Sequence, residues 1–469
     1  MMILRFFELQ KRLVLLLCAF LMITGAIADG TETDNQKSSI TAYQKILNEE
    51  LDDQQFNHLD QEINKLMKDW AITGATFAMM KNGKLVYTKG YGFADRQNRV
   101  RMQPQHRFRI ASVSKLITAV GIMKLKEWGM LGLDEPVFGL NGILNDSIFS
   151  GAIRDKRIYR ITTRHLLTHS AGWDRKKKGD PLFMTNYIAR EAGLDRDSLE
   201  IENIIQYGLT QKLDFYPGTE SSYSNLGYII LGKLIEKVSH SDYETFVREH
   251  ILTPLGLHSM QIGKNGIENR LTDEVRYYDL KRINDMLMNK GLDNFIPRPY
   301  GRTDVKLLSA SGGWIANSID LLRFTSAIDG FSSCSDILDS LTIQEMTKVA
   351  NEDILPMGWI GVNETNDWWR TGTLAGTSAL LIRKSNSTIY VFLTNSSTEA
   401  GNSFPTKAYA AIEKGLENMD MIPDKNLFNI LDRKMVAIKK LPPRINQQEM
   451  FLPPVYAALQ YKAIYTTIK

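Results

Sequence analysis

The chain has 469 residues, 43% of them hydrophobic, with 57 basic and 53 acidic side chains for a net charge of +4. That composition excludes a disordered or collagen-like polymer and gives room for one large domain, or two to three of about 100–200 residues each. Only two cysteines occur, Cys18 and Cys334, and neither Cys-x-x-Cys nor His-Glu-x-x-His is present, so the sequence supports no disulfide framework and no zinc site.

In chain order, Arg5, Lys11 and Arg12 precede an apolar run at 13–28 that ends in Ala26-Ile-Ala28. A charged start, a short apolar core and an Ala-x-Ala end read as a signal peptide cleaved after about Ala28. The run is short for a membrane span of about 20 residues. This predicts an exported protein, periplasmic or extracellular. Its mature form would keep only Cys334 and hold together by core burial. A polar linker follows at 29–39. Over 40–70 apolar residues recur at helical spacing (Ile40, Tyr43, Ile46 and Leu47, then Phe56, Leu59, Ile63, Leu66, Met67 and Trp70). Two β-prone runs within 76–92 flank Asn82-Gly83, which predicts a tight hairpin. A helix then opens at Ser112 and runs to about Trp128.

Helical signals dominate about 130–300. RHLLTHSAG (164–172) predicts a helix closed by Gly172, and 226–238 and 243–257 predict two more. SASGGWIAN (309–317) has the small residues of a tightly packed strand, with Ser318 placed to cap the next helix. Strands are expected at 357–362, 377–384 and 388–395, and a helix at 404–418. The predicted fold is α/β of the α+β kind. A largely antiparallel sheet, built from both ends of a domain at 40–420, is flanked by helices and carries an inserted all-α subdomain. Residues 421–469 hold eight Lys/Arg against three Asp/Glu. They read as a solvated basic extension, with weak contact to an anionic membrane surface as the alternative. Nothing in the charge pattern points to nucleic acid.

Three short stretches carry candidate chemistry. In Ser112-Val-Ser-Lys115, residues three apart on a helix share a face. A serine hydroxyl needs a base within hydrogen-bond reach, and burial or nearby cations can lower a lysine to that role. A helix start also offers free N–H groups to an oxyanion. In Tyr223-Ser-Asn225, the tyrosine can shuttle a proton, while Asn225 either donates to a substrate carbonyl or caps a helix. In Arg370-Thr371-Gly372-Thr373, the glycine lets a substrate backbone approach a strand edge. Each stretch alone has an ordinary structural reading; a chain this long holds about two Ser-x-x-Lys matches by chance.

Taken together and in this order, the three stretches resemble the serine β-lactamase-like superfamily: class C β-lactamases, penicillin-binding DD-peptidases, and related esterases and D-amino-acid peptidases. Gly-Tyr-Gly-Phe-Ala-Asp at 90–95, RITTRHLLTHSAGW, FYPGTESSYSNLGY, LTPLGLHSM and SASGGWIANSIDLLRF add to the resemblance, which covers about 45–418. It implies that Ser112 is acylated, that Lys115 and Tyr223 share the base role, and that Asn225 binds substrate. It also implies an oxyanion hole from the N–H groups of Ser112 and Thr373, and no cofactor or metal. Arg370 departs from the family's usual Lys or His. An arginine keeps its proton, so the expectation is electrostatic: it lowers its neighbours' pKa values and holds an anionic substrate group, bidentately if geometry allows.

The expected activity is hydrolysis of an ester or amide through an acyl-enzyme, on a small-molecule or peptide substrate that includes cell-wall-derived ones. The rival is a penicillin-binding-like protein that holds a ligand without turnover. His165 and His169, four apart, are read as packing and capping residues rather than metal ligands. Thr168-His-Ser170-Ala-Gly172 lacks the first glycine of a nucleophile elbow and follows a helix, so it is set aside. Trp314, Trp368 and Trp369 are read as core residues ahead of walls for an acyl pocket. The loop at 175–183 is expected to border the cleft.

Overall fold

Phe77 and Met79 alternate with Ala78 and Met80, and the two sets enter different hydrophobic cores. Leu380 and Ile382 alternate with Ala379 and Leu381 in the same way, as do Tyr390 and Phe392 with Val391 and Leu393. Successive side chains of a strand point to opposite faces, so these are central strands buried on both sides, in a three-layer arrangement. The computed structural model describes residues 53–279, 304–349 and 354–417, with shorter pieces at 47–48, 51, 287–288, 295–301, 419 and 421–430.

The strands are β1 (Gly74–Lys81), β2 (Lys84–Asp95), β3 (Val100–Arg101), β4 (Phe108–Arg109), β5 (Gln261–Ile262), β6 (Leu287–Met288), β7 (Phe295–Ile296), β8 (Trp314–Ala316), β9 (Gly361–Val362), β10 (Trp368–Leu374), β11 (Thr377–Lys384) and β12 (Thr388–Thr394). A seven-stranded antiparallel sheet runs β3-β2-β1-β12-β11-β10-β9. The first hairpin thus meets the last strands, with Ala75 opposite Thr394. Asn82 and Gly83 turn that hairpin with φ of 48° and 75°, the left-handed pair that such a turn needs. A smaller antiparallel sheet, β4-β8-β5, lies apart, and β6 pairs with β7.

The helices include α1 (Asn57–Asp69), α2 (Ser114–Glu127), α3 (Asn225–Ser239), α4 (Val305–Gly312) and α5 (Phe404–Leu416). Helices α1 and α5 cover one face of the sheet, where Leu59, Ile63 and Ile412 meet Phe77, Tyr390 and Phe392. On the other face α2 is buried all round, packed against α3 and α4; an apolar helix of this kind belongs in a core. Every described element between residues 147 and 252 is helical, and the chain returns to a strand at Gln261.

Several local expectations change. The stretch at 309–317 is mostly not strand: Asp304 caps α4 by accepting from Leu307 N–H, α4 kinks at Ser309 (φ 18°) and resumes to Gly312, and only Trp314–Ala316 is extended. The small residues serve close helix packing here, not strand packing. Asn317, not Ser318, caps the next helix, accepting from Asp320 N–H at 2.8 Å. The helix at 163–167 ends well before Gly172, and His169 takes the left-handed conformation (φ 59°). Of 357–362 only Gly361–Val362 is strand, and of 243–257 only residues up to Leu252 are helical. The helical pattern at 40–70 becomes a helix only from Asn57; Ile40, Tyr43 and Ile46, with the signal segment and linker at 1–39, lie outside the described residues.

The extension is not wholly solvated. Leu427 and Phe428 are buried, Leu427 N–H donates to Leu85 O at 2.8 Å, and Arg323 stacks over Phe428 at 4.3 Å. Residues 431–469 lie outside the described residues.

Candidate active site

Ser112 sits in a 3-10 turn, Ala111–Val113, that leads into α2. Ala111 before it has φ 47°, a left-handed conformation that costs an alanine about 1–3 kcal/mol and persists only where the surroundings impose it. They do so here: Ile110 N–H donates to Trp314 O at 3.0 Å, and Trp314 N–H donates to Ser114 Oγ at 3.1 Å. β8 therefore holds the turn from below and leaves Ser112 partly exposed.

Lys115 follows one helical turn later and is fully buried. Its Nζ donates to Asn225 Oδ1 (2.6 Å) and Ser311 O (2.5 Å) and lies 3.4 Å from Ser112 Oγ. It also lies 4.9 Å from the centre of the Tyr223 ring. Burial lowers its pKa to about 8, helped by Arg370 and opposed by Tyr223. Tyr223 arrives on the turn before α3, where Ser224 caps the helix by accepting from Gly227 N–H at 3.0 Å. The cap is thus Ser224; Asn225 is the first helical residue, and its amide is turned toward the site. Burial would raise the Tyr223 pKa, but Arg370, Lys115 and hydrogen bonding to Lys115 and Ser112 outweigh it and bring the phenol down to about 8.

Arg370, Thr371 and Gly372 lie within β10, a strand that the sequence argument did not place over them. Arg370 is fully buried. Its Nε donates to Ser112 O (2.8 Å), Nη1 to Trp359 O (3.3 Å) and Nη2 to the phenolic Oη of Tyr223 (2.9 Å). The sequence argument offers Arg370 to an anionic substrate group; the structure turns it inward, with no open face for a ligand. Its electrostatic effect on Tyr223 and Lys115 is the part that the geometry supports.

Gly372 faces the same turn. A Cβ there would come 2.3 Å from Ile110 O and 2.9 Å from Ser112 N, so only glycine lets β10 lie this close to Ser112. β9 pairs only with Trp368 and Trp369. Trp369 O accepts from Ile360 N–H at 3.0 Å, which fixes the side that its main-chain groups face. Alternate residues of an antiparallel strand face alike, so Thr371 and Thr373 present their main-chain groups to that same edge, beyond β9.

Three residues join the site that the sequence argument did not assign to it. Asp180, in the 175–183 loop, accepts from Asn225 Nδ2 (2.7 Å) and Leu182 N–H (3.1 Å), and burial raises its pKa. A donor-only Lys115 on one side and a carboxylate on the other orient the Asn225 amide. His169 stacks on Tyr223 at 4.4 Å, accepts from Ser224 N–H at 3.0 Å, and is kept neutral by burial and the nearby cations. Arg175 stacks over Tyr223 at 4.6 Å. The signal for Asp180 and Arg175 was the loop itself, which lines a cavity with Trp173, Tyr207 and Asn225. His165 accepts from Thr162 N–H in a capping box. Trp314 and Trp368 are core residues, and Trp369 packs against the outer core beneath α1 and α5.

The Beta-lactamase family model matches residues 59–413. Protein flp of Staphylococcus aureus (strain MW2) is 28% identical over 202 residues, which are 42% of this chain and 36% of that protein. The chain therefore spans little more than a third of that relative. A D-amino acid amidase from Ochrobactrum anthropi superposes with a TM-score of 0.61 at 20% identity, over 78% of this chain and 98% of the amidase, a likeness of fold. A penicillin-binding protein homologue from Pyrococcus abyssi superposes with a TM-score of 0.57 at 25% identity, over 81% of each chain. With a sheet built from both ends of the domain, a helical middle and a family-model match over 59–413, the chain belongs to the Beta-lactamase family.

Proposed function

We propose that the chain cleaves an ester or amide bond through an acyl-enzyme on Ser112. The observation that carries this is Ser112 Oγ 3.4 Å from the Nζ of a fully buried Lys115, with the Tyr223 ring centre 4.9 Å from that Nζ; burial and Arg370 bring Lys115 and Tyr223, respectively, down to about 8. Catalytic bases work best with a pKa near the operating pH. One proton lost from the Lys115–Tyr223 pair leaves a base that takes the Ser112 proton as Oγ attacks the acyl carbon. The carbonyl oxygen becomes an oxyanion, held by the N–H groups of Ser112 and Thr373. Collapse breaks the bond to the leaving group, which takes the proton from the pair. Water then attacks the ester on Ser112, its proton passes to the pair, and the acid and Ser112 Oγ–H are released. Arg370 acts throughout as a fixed cation, and Asn225 as a positioned amide.

The test is hydrolysis of p-nitrophenyl butyrate by wild type and Ser112→Ala, with the intact mass of wild type measured during turnover. Loss of hydrolysis in the variant, with a transient mass gain of one acyl group in wild type, supports the reading. Equal rates in the two proteins refute it. The reading includes export: a mature N-terminus at Asp29, found by mass spectrometry of the secreted protein, would support cleavage after Ala28.

A further inference from the structure

The charged side chains that line the cavity beside Asn225 can be accounted for one by one. Lys178 pairs with Asp214 at 3.1 Å. Asp174 accepts from Lys176 N–H and from Ser222 Oγ. Asp180 faces the cavity, with one oxygen taken by Leu182 N–H and the other by Asn225 Nδ2. Arg370 is spent inward on Ser112 O, Trp359 O and Tyr223. Arg175 is left. It is half-buried, lines the cavity with Asn225, Asp180 and Trp173, and lies over the Tyr223 ring. Among the described residues it makes no ion pair. Stacked on an aromatic face, a guanidinium keeps its in-plane donors free, and that planar fork matches a carboxylate.

We infer that Arg175 is the specificity-determining residue of this site and that the substrate carries an anionic group, a carboxylate, which Arg175 binds beside Tyr223. The inference rests on the hydrolase reading above. The anionic role that the sequence argument gave to Arg370 thus moves to a residue some 200 positions earlier, on the loop that closes the cavity. The stacking on Tyr223 fixes the distance between the bound anion and the reacting bond. A substrate with its charge elsewhere would gain nothing from Arg175.

Three esters test it on the full protein: p-nitrophenyl butyrate, the p-nitrophenyl hemiester of glutaric acid, and the butyrate ester of a nitrophenol bearing a carboxylate. The second carries its charge on the acyl side and the third on the leaving group. The readout is the ratio of kcat/KM for a charged ester to that for the neutral one. Wild type is expected to favour one charged ester by about tenfold, the effect of a single charge-assisted contact at a half-buried site. Arg175→Gln should bring that ratio near one, and Arg175→Glu should push it below one. A wild-type ratio near one for both charged esters overturns the inference, as does a ratio that Arg175→Gln leaves unchanged. Turnover that survives Ser112→Ala would instead overturn the hydrolase reading, so the two failures are distinguishable.

Discussion

Replacing Arg370 with glutamine removes a buried cation whose Nη2 is 2.9 Å from the Tyr223 oxygen. The charge is spread over the guanidinium. At an effective dielectric of about 20 or more it is worth on the order of 2–3 kcal/mol to a phenolate at that range, or about two pH units. Arg370 also lowers Lys115. Both groups would therefore rise, and the macroscopic pKa of the pair would climb from about 8 toward about 10. The base is the deprotonated form, so kcat/KM at pH 7 should fall about 100-fold, while the loss at pH 10 should shrink to a few-fold. The assay is the pH profile of kcat/KM on a p-nitrophenyl ester, with spontaneous hydrolysis subtracted, for wild type, Arg370→Gln and Arg370→Lys. Arg370→Lys keeps the charge and should keep the midpoint near that of wild type, even if its lost contact to Ser112 O lowers the plateau. A midpoint near 8 in a folded Arg370→Gln would refute the electrostatic role.

Gly372→Ala drives a Cβ into Ile110 O and Ser112 N. It should cost about 1–3 kcal/mol of stability and most of the hydrolytic rate, read by thermal melts and steady-state kinetics; a fully active variant would show that β10 need not lie this close. Asp180→Asn keeps the shape but frees the Asn225 amide to reverse. A drop of about tenfold in kcat is expected. Asp180 raises the pKa of Lys115, so the pH midpoint should move down, and an upward move would contradict that coupling. Lys115 has a folded pKa near 8, below its unfolded value, so the unfolded chain binds more protons between the two. Wild type should therefore gain stability, relative to Lys115→Met, as pH rises from about 8 to about 10, by up to about 3 kcal/mol. Denaturant melts of both proteins at pH 7 and pH 10 measure the difference, and parallel curves would mean that Lys115 enters the fold at no electrostatic cost.

What the sequence discloses is governed by range. Asn82-Gly83 announces its hairpin because a left-handed pair between β-prone runs has few other uses. Ser112 and Lys115 fall on one face because they are three positions apart. The helix α4 hides, because Ser309-Ala-Ser-Gly312 has the small residues of either a strand or a close helix contact, and the cap at Asp304 lies on the far side of the kink at Ser309. The placement of Asp180 depends on Asn225, itself oriented by Lys115, three residues from distant parts of the chain. No local pattern encodes that meeting. Arg370 is the sharpest case: its charge was legible, but neither its place within a strand nor the direction of its side chain was, the latter being set by Trp359 O and Ser112 O, which only the folded chain brings to it.

The pairing of Ala75 with Thr394 has a consequence in time. The first hairpin emerges from the ribosome early, yet its inner edge has no neighbour until nearly the whole domain has been made. During that interval the chain holds an apolar, unpaired strand edge, the kind of surface that seeds aggregation. Contacts that close so long a loop also form slowly. Folding of this sheet is therefore an event that follows synthesis. The last strands complete the first, and a truncation that removes β12 would abolish the sheet as a whole and not merely shorten it.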